Sequence, residues 1–311
     1  WSRLVATLAA VPEPSRLRPA LMMVAAAVLF GTTGTAQALG PPQANPLSVG
    51  AVRQVVGGSA LLLLGVAGWL RHHGARLPRW SSKVGWVLLG GLSVMAFQAT
   101  FFFGTRLNGV AVGTVVALGS SPLFAGAFDG LRGHAPTRRW AAATALAVAG
   151  IVLLSGALGN AAPLQPLGVL ASLIAGAAYA GYAVATSTLV QRGTAALPTT
   201  AAVIGTSGLL GAAVLPFTDN AWVGEPAGLA MAVWLGLVTV IVPYLLMGTA
   251  LRHLSASTAI TLGLAEPTTA TLLGVVVLGE RLGALQWAGL VAVLAGVAVA
   301  GSGRARVNEP G

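Results

Sequence analysis

The stretch Thr261-Leu262-Gly263-Leu264-Ala265-Glu266-Pro267-Thr268-Thr269 sets a carboxylate and a proline in the middle of an apolar run from about 255 to 278. A run of that length crosses a bilayer as a helix, which places Glu266 near the midplane. A carboxylate there costs roughly 2.5 to 3.5 kcal/mol on insertion scales, so it turns toward a protein interior or a water-filled cavity. Pro267 has no N–H to reach the carbonyl of Gly263, and the helix is weakened beside its charge.

The rest of the chain has the same character. Hydrophobic residues make up 56% and charged residues 8%, with a mean hydropathy of +0.83, which leaves too little charge to cover a soluble domain. The apolar residues fall into runs of about 18 to 24, the length of a spanning helix and not of a barrel strand. Ten spans are expected, at about 20–39, 48–70, 84–103, 108–128, 140–157, 167–190, 199–217, 227–250, 255–278 and 284–301. The seventh is diluted by Thr199, Thr200, Thr206 and Ser207.

The net charge of +10 reflects topology and not nucleic-acid binding, because the basic residues sit in short loops between apolar runs. With residues 1–19 read as a cytoplasmic tail, fourteen of the seventeen Lys and Arg residues fall on the cytoplasmic side. Arg106 and Arg281 fall outside, and Arg53 lies within a span. Both termini are therefore expected in the cytoplasm. An Arg-, Ala-, Gly- and Val-rich composition with Lys83 as the single lysine points to a GC-rich bacterial genome.

The chemistry available is limited. There is no cysteine, and His72, His73, His134 and His253 all lie in predicted loops, so no metal site or cofactor is expected. A membrane hydrolase would need His near its nucleophile or two membrane aspartates, whereas Asp129 and Asp219 sit at a span end and in a loop. No Walker-type loop occurs for ATP hydrolysis. A receptor would need no inverted repeat, and a channel would need a pore loop that the sequence does not show.

The chain repeats itself. Gly104-Thr105-Arg106-Leu107 through Gly113-Thr114 and Leu118-Gly119 to Pro122 parallels Gly248-Thr249-Ala250-Leu251 through Ser257-Thr258 and Leu262-Gly263 to Pro267. Two halves, 20–157 and 167–301, each hold five spans, joined by a linker at 158–166 and followed by a tail at 302–311. An odd number of spans inverts the second half relative to the first. Inverted repeats with proline-interrupted helices at matched positions, here Pro122 and Pro267, point to a secondary transporter with its site between the halves.

With these features the chain resembles the drug/metabolite transporter superfamily, of the ten-helix EamA type. The resemblance rests on Phe30-Gly31, Arg53, Gly104-Thr105, Glu266-Pro267 and Leu278-Gly279-Glu280-Arg281-Leu282, and spans about 20–301. It implies a bacterial inner-membrane exporter or permease for amino acids or related small metabolites, with a cavity lined by both halves. The first half departs from the pattern, with Ser121-Pro122 where Glu-Pro stands in the second and Asp129-Gly130 where Gly279-Glu280 does.

The residues themselves name the candidate cavity. Glu266 either binds a cationic group or cycles a proton, or it makes a structural hydrogen bond; in the proton case the chain would be a proton-coupled amine or multidrug exporter. Arg53 either snorkels to the outer surface, or holds a substrate carboxylate, or serves a gate or structural pair with Gln54 beside it, the gate or pair being favoured over direct substrate contact. Phe30, Thr33 and Gln37 share one helix face at i, i+3, i+7, as do Tyr179, Tyr182 and Thr186, and each trio either lines the cavity or joins helices. Gln98, Phe101 and Thr105 make a similar stripe, and Tyr244 lies opposite. Pro243 frees the carbonyl of Thr239, which must meet a partner, water or a ligand. Ser120 and Ser121 either face the cavity or cap carbonyls that Pro122 releases. Asp129, Glu280 and Arg281 read as span-end charges, Glu280 with Arg281 forming a turn. Gly289, Val293 and Gly296 form a small-residue stripe suited to close packing, with a homodimer face there a further reading. The expected partners are a small-molecule substrate, the lipid bilayer and protons.

Overall fold

The computed structural model describes residues 17–73, 83–133, 136–155, 165–279 and 281–301. These residues form helices α1 Leu17–Ala38, α2 Pro46–His73, α3 Val84–Asn108, α4 Val112–Leu131, α5 Arg138–Leu154, α6 Pro166–Gln191, α7 Ala196–Val214, α8 Pro226–Ala250, α9 Ala256–Leu278 and α10 Ala284–Gly301. Among the described residues, nine helices have the length and hydropathy to cross a membrane, and α5, at 17 residues, falls just below that length. The protein is an all-α membrane protein of ten helices in two inverted five-helix repeats. Large apolar side chains such as Leu63 and Val276 are exposed on its outside, as a lipid-facing surface requires. The expected C-terminal tail and the greater parts of the N-terminal tail and of the linker, with Glu280 and His134, lie outside the described residues.

Four boundaries differ from the sequence expectation. The expected turn between the third and fourth spans is present but is made without a loop: helical structure is continuous from Val84 to Leu131 over 48 residues, within which Val84–Asn108 and Val112–Leu131 are separate spans. Laid straight, such a helix puts Trp86 and Arg132 about 69 Å apart. The Arg132 guanidinium instead lies 4.9 Å from the Trp86 ring centroid, so the helix doubles back. The reversal lies between Thr105 and Gly113, where a Cβ on Gly113 would meet the Thr105 Cα at 2.9 Å. The eighth span is interrupted by a π-helical stretch, Trp234–Ile241, just before Pro243. The ninth breaks at Leu264 into Ala256–Gly263 and Ala265–Leu278. Helix α2 continues to His73, so the backbone of His72 and His73 is helical and not a loop. The polar residues of the seventh span do not break it, because Thr199, Thr200 and Ser207 are turned inward and buried.

The repeats interlock. Helix α1 packs on α8 and α9 of the other half, while α6 packs on α3 and α4. Helices α2 and α7 pair with each other, as do α5 and α10. Matching α1 with α6, α3 with α8 and α4 with α9 reproduces this pattern, as an approximate twofold axis between inverted halves demands. The α5·α10 seam answers the small-residue stripe. A Cβ on Gly289 would sit 2.7 Å from the Gly150 carbonyl oxygen, and one on Gly296 2.7 Å from that of Ala143. The stripe is thus occupied within the chain, by close backbone approach.

Candidate functional site

A cavity of about 50 Å³ is walled by seven helices drawn from both repeats. The first contributes Phe30, Arg53, Ser93, Val94, Phe97, Gln98 and Leu118, and the second Tyr179, Tyr182, Tyr244 and Glu266. That volume holds a few water molecules at about 10 to 15 Å³ each. One cation and one carboxylate, from opposite halves, share this space.

Arg53 does not snorkel. Its guanidinium turns inward, and Nη2 donates to the Thr239 carbonyl at 3.0 Å while Cζ lies 5.8 Å from the centroid of the Phe30 ring. Proline at 243 supplies no N–H to Thr239, four residues earlier, and the charged donor from α2 takes the place of the missing one. A guanidinium at this depth is tolerable because a carbonyl and a ring face receive it.

Glu266 lies in the first turn of the Ala265–Leu278 segment, where the positive end of the helix dipole favours a carboxylate. The break at Leu264 creates that new helix start in mid-span. Helix α1 crosses α9 here at Gly31, where a Cβ would stand 2.7 Å from the Glu266 carbonyl oxygen and 2.6 Å from the Thr269 Cβ. The glycine of the Phe30-Gly31 pair thus permits the crossing, and Phe30 turns its ring toward the cavity.

Aromatic rings form much of the wall. Tyr244 meets Phe30 edge to face at 5.1 Å and Tyr182 at 5.3 Å, while Tyr179 packs on Phe97 at 5.7 Å. Such edge contacts fix ring positions and leave apolar faces toward the interior. Among the described residues, the buried Arg53 Nε has no hydrogen-bond partner. Beside Arg53, buried Gln54 accepts from the Ser207 hydroxyl at 2.9 Å, which ties α2 to α7.

The structure brings together Phe30, Arg53, Gln98, Tyr179, Tyr182, Tyr244 and Glu266. Other expected residues stand elsewhere. Ser121 is fully buried, and its hydroxyl donates to the Leu118 carbonyl at 2.8 Å, the acceptor that Pro122 leaves without an N–H. Phe101 stacks on Phe97 at 5.4 Å, one layer behind the wall. Thr33 and Gln37 are half-buried on α1 outside the cavity, and Thr105 bonds its own helix at Phe102. Pro122, Pro243 and Pro267 shape the helices without lining the space.

Sequence reasoning missed Ser93, Val94, Phe97 and Leu118. The stripe Gln98–Phe101–Thr105 was phased about one residue off; a serine four before Phe97 in an otherwise apolar helix was the available signal, whereas Leu118 carried none. Asp129 is not a solvated end charge. It is buried, and its Oδ2 accepts from the Ser257 N–H at 3.0 Å, capping α9 from the end of α4. Ser255 caps the same start by accepting from the Thr258 N–H.

Comparison with known proteins agrees with this architecture. The model of the EamA-like transporter family matches residues 17–156 and again 166–302. An uncharacterized transporter of Bacillus subtilis (strain 168), YwfM, is 37% identical over 280 residues, covering 90% of this chain and 92% of its own. A crystal structure at 23% identity superposes with a TM-score of 0.75, covering 92% of this chain and 99% of its own, and bears on the fold alone.

Proposed function

Because the chain belongs to the EamA-like transporter family, we propose that it moves small amphiphilic metabolites, amino acids foremost, by alternating access of its two repeats around the Arg53–Glu266 cavity. One observation carries this reading: a guanidinium and a carboxylate from opposite halves face a single space walled by aromatic rings. Such a space suits a ligand with opposite charges at one end and an apolar body. Among the hydrogen bonds that join the halves are those from Arg53 to the Thr239 carbonyl and from the Ser257 N–H to Asp129. Rocking the repeats breaks these joints in turn, and the small cavity widens on the side that opens. The positive-inside pattern supports an inner-membrane protein with cytoplasmic termini.

A second reading is proton-coupled export of amines. It is favoured by Glu266 being the one acidic side chain among the lining residues. Flux of labelled amino acids and amines into liposomes, with and without a pH gradient, separates the two. Saturable amino-acid flux without a gradient, retained in Glu266→Gln, supports a facilitator. Concentrative amine flux that needs the gradient and vanishes in Glu266→Gln supports proton coupling. A protein that moves neither class under either condition overturns both substrate assignments.

A further inference from the structure

Away from the cavity, two guanidiniums lie over one indole ring where α3 begins and α4 and α6 end, with Lys83 three residues before that ring in the chain. The Arg132 guanidinium lies 4.9 Å and that of Arg192 5.9 Å from the Trp86 ring centroid. Arg132 also donates to the Thr188 hydroxyl at 2.6 Å, and Lys83 Nζ to the Thr194 hydroxyl at 2.8 Å, two residues beyond Arg192. Two guanidiniums on one ring repel each other, and cation–π attraction at an exposed site returns only about 0.5 to 1 kcal/mol. Partial burial lowers the Arg132 pKa, Asp129 raises it in opposition, and Arg192, the smallest of the three influences, lowers it. Asp129 offsets one of these charges, and its Oδ2 also accepts from the Ser257 N–H. One carboxylate against Lys83, Arg132 and Arg192 leaves an excess of positive charge.

The surroundings say which kind. Lys83, Arg132 and Arg192 immediately flank the membrane-spanning segments, at the level of lipid headgroups. One turn deeper, Leu89 on α3 and Phe128 on α4 are exposed, at 43% and 38%. A free anion has no use for those apolar faces, whereas an acyl chain does.

We propose that Lys83, Arg132, Arg192 and Trp86 form a binding site for one anionic phospholipid of the leaflet on the positively charged side, its phosphate between the two guanidiniums and an acyl chain along Leu89 and Phe128. The site holds the end of α4 against the end of α6, and so stabilises the contact between repeats from which Asp129 reaches α9. It does not depend on which solute the cavity carries.

The test is thermal unfolding of the purified full-length protein in detergent, titrated with dioleoyl phosphatidylglycerol, dioleoyl phosphatidylcholine or inorganic phosphate. Phosphatidylglycerol is expected to raise the wild-type Tm saturably, and the other two are not. Each guanidinium removed weakens the half-saturating concentration about fivefold, so Arg192→Gln shifts it about fivefold and Arg132→Gln/Arg192→Gln about 25-fold. Arg252→Gln, at an exposed cation on the same side outside the cluster, leaves it unchanged. Arg192 is exposed, so Arg192→Gln decides the matter even where the double variant does not fold. An unaltered phosphatidylglycerol response in Arg192→Gln, an equal response to phosphate, or an equal loss in Arg252→Gln overturns the proposal.

Discussion

Helices α4 and α9 hold matching places in the two repeats, and each carries a proline near mid-span, yet they resolve the same backbone defect differently. In α4 the Ser121 hydroxyl takes the Leu118 carbonyl, the helix continues through Pro122, and only Leu118 faces the cavity. In α9 the helix breaks at Leu264, and the new start presents Glu266 to the cavity. A third case stands between them: α8 meets Pro243 with a π-helical stretch, and its Thr239 carbonyl is taken by Arg53 from the other repeat. A defect sealed within its own helix yields wall, while one left open or sealed from across the interface yields a charged site.

Substitutions at the three prolines' partners sharpen or break this contrast. Arg53→Met keeps an unbranched apolar stem, two bonds shorter, and removes the donor; the loss of a charge-assisted bond costs about 1.5 to 3 kcal/mol, which predicts flux about 10- to 100-fold lower together with a lower Tm. Unchanged flux in Arg53→Met would show that the bond across the interface is dispensable. Gly31→Val drives a branched side chain into the Glu266 carbonyl and Thr269, and overpacking of this kind costs about 1 to 3 kcal/mol. The expected result is a lower Tm with flux impaired for every solute, whereas a change in selectivity alone would mean that α1 tolerates displacement. Ser121→Ala removes only a local cap, worth about 0.6 kcal/mol by the average for polar contacts in membrane helices. Its flux is expected to match wild type in the same liposome assay, and a loss comparable to that of Arg53→Met would erase the distinction between sealed and open prolines.

Much of this contrast was visible in the residues. Glu266-Pro267 and Pro243 marked their helices, and a released Thr239 carbonyl requires some partner. That the partner is Arg53 was not legible, because the two residues lie 186 positions apart and meet only through the packing of α2 on α8. Ser121 shows the opposite limit. Its hydroxyl suits a cavity and a cap equally well, and only the rotation of α4, set by its packing on α6, turns it away. Asp129 stands near a span end, which suggests solvent, until the fold brings the start of α9 against it.

The sequence by itself determined the membrane class, the helical spans, the inverted repeat and the identity of the charged residues. These follow from local length, hydropathy and period, each legible within a segment because the bilayer forces every span to satisfy its own backbone. Only the tertiary structure decided that the α10 stripe is filled by α5, and which side chains meet around Trp86 and around the cavity. Those outcomes depend on the phase of one helix against another, where a rotation of one residue, about 100°, changes a wall into an interface.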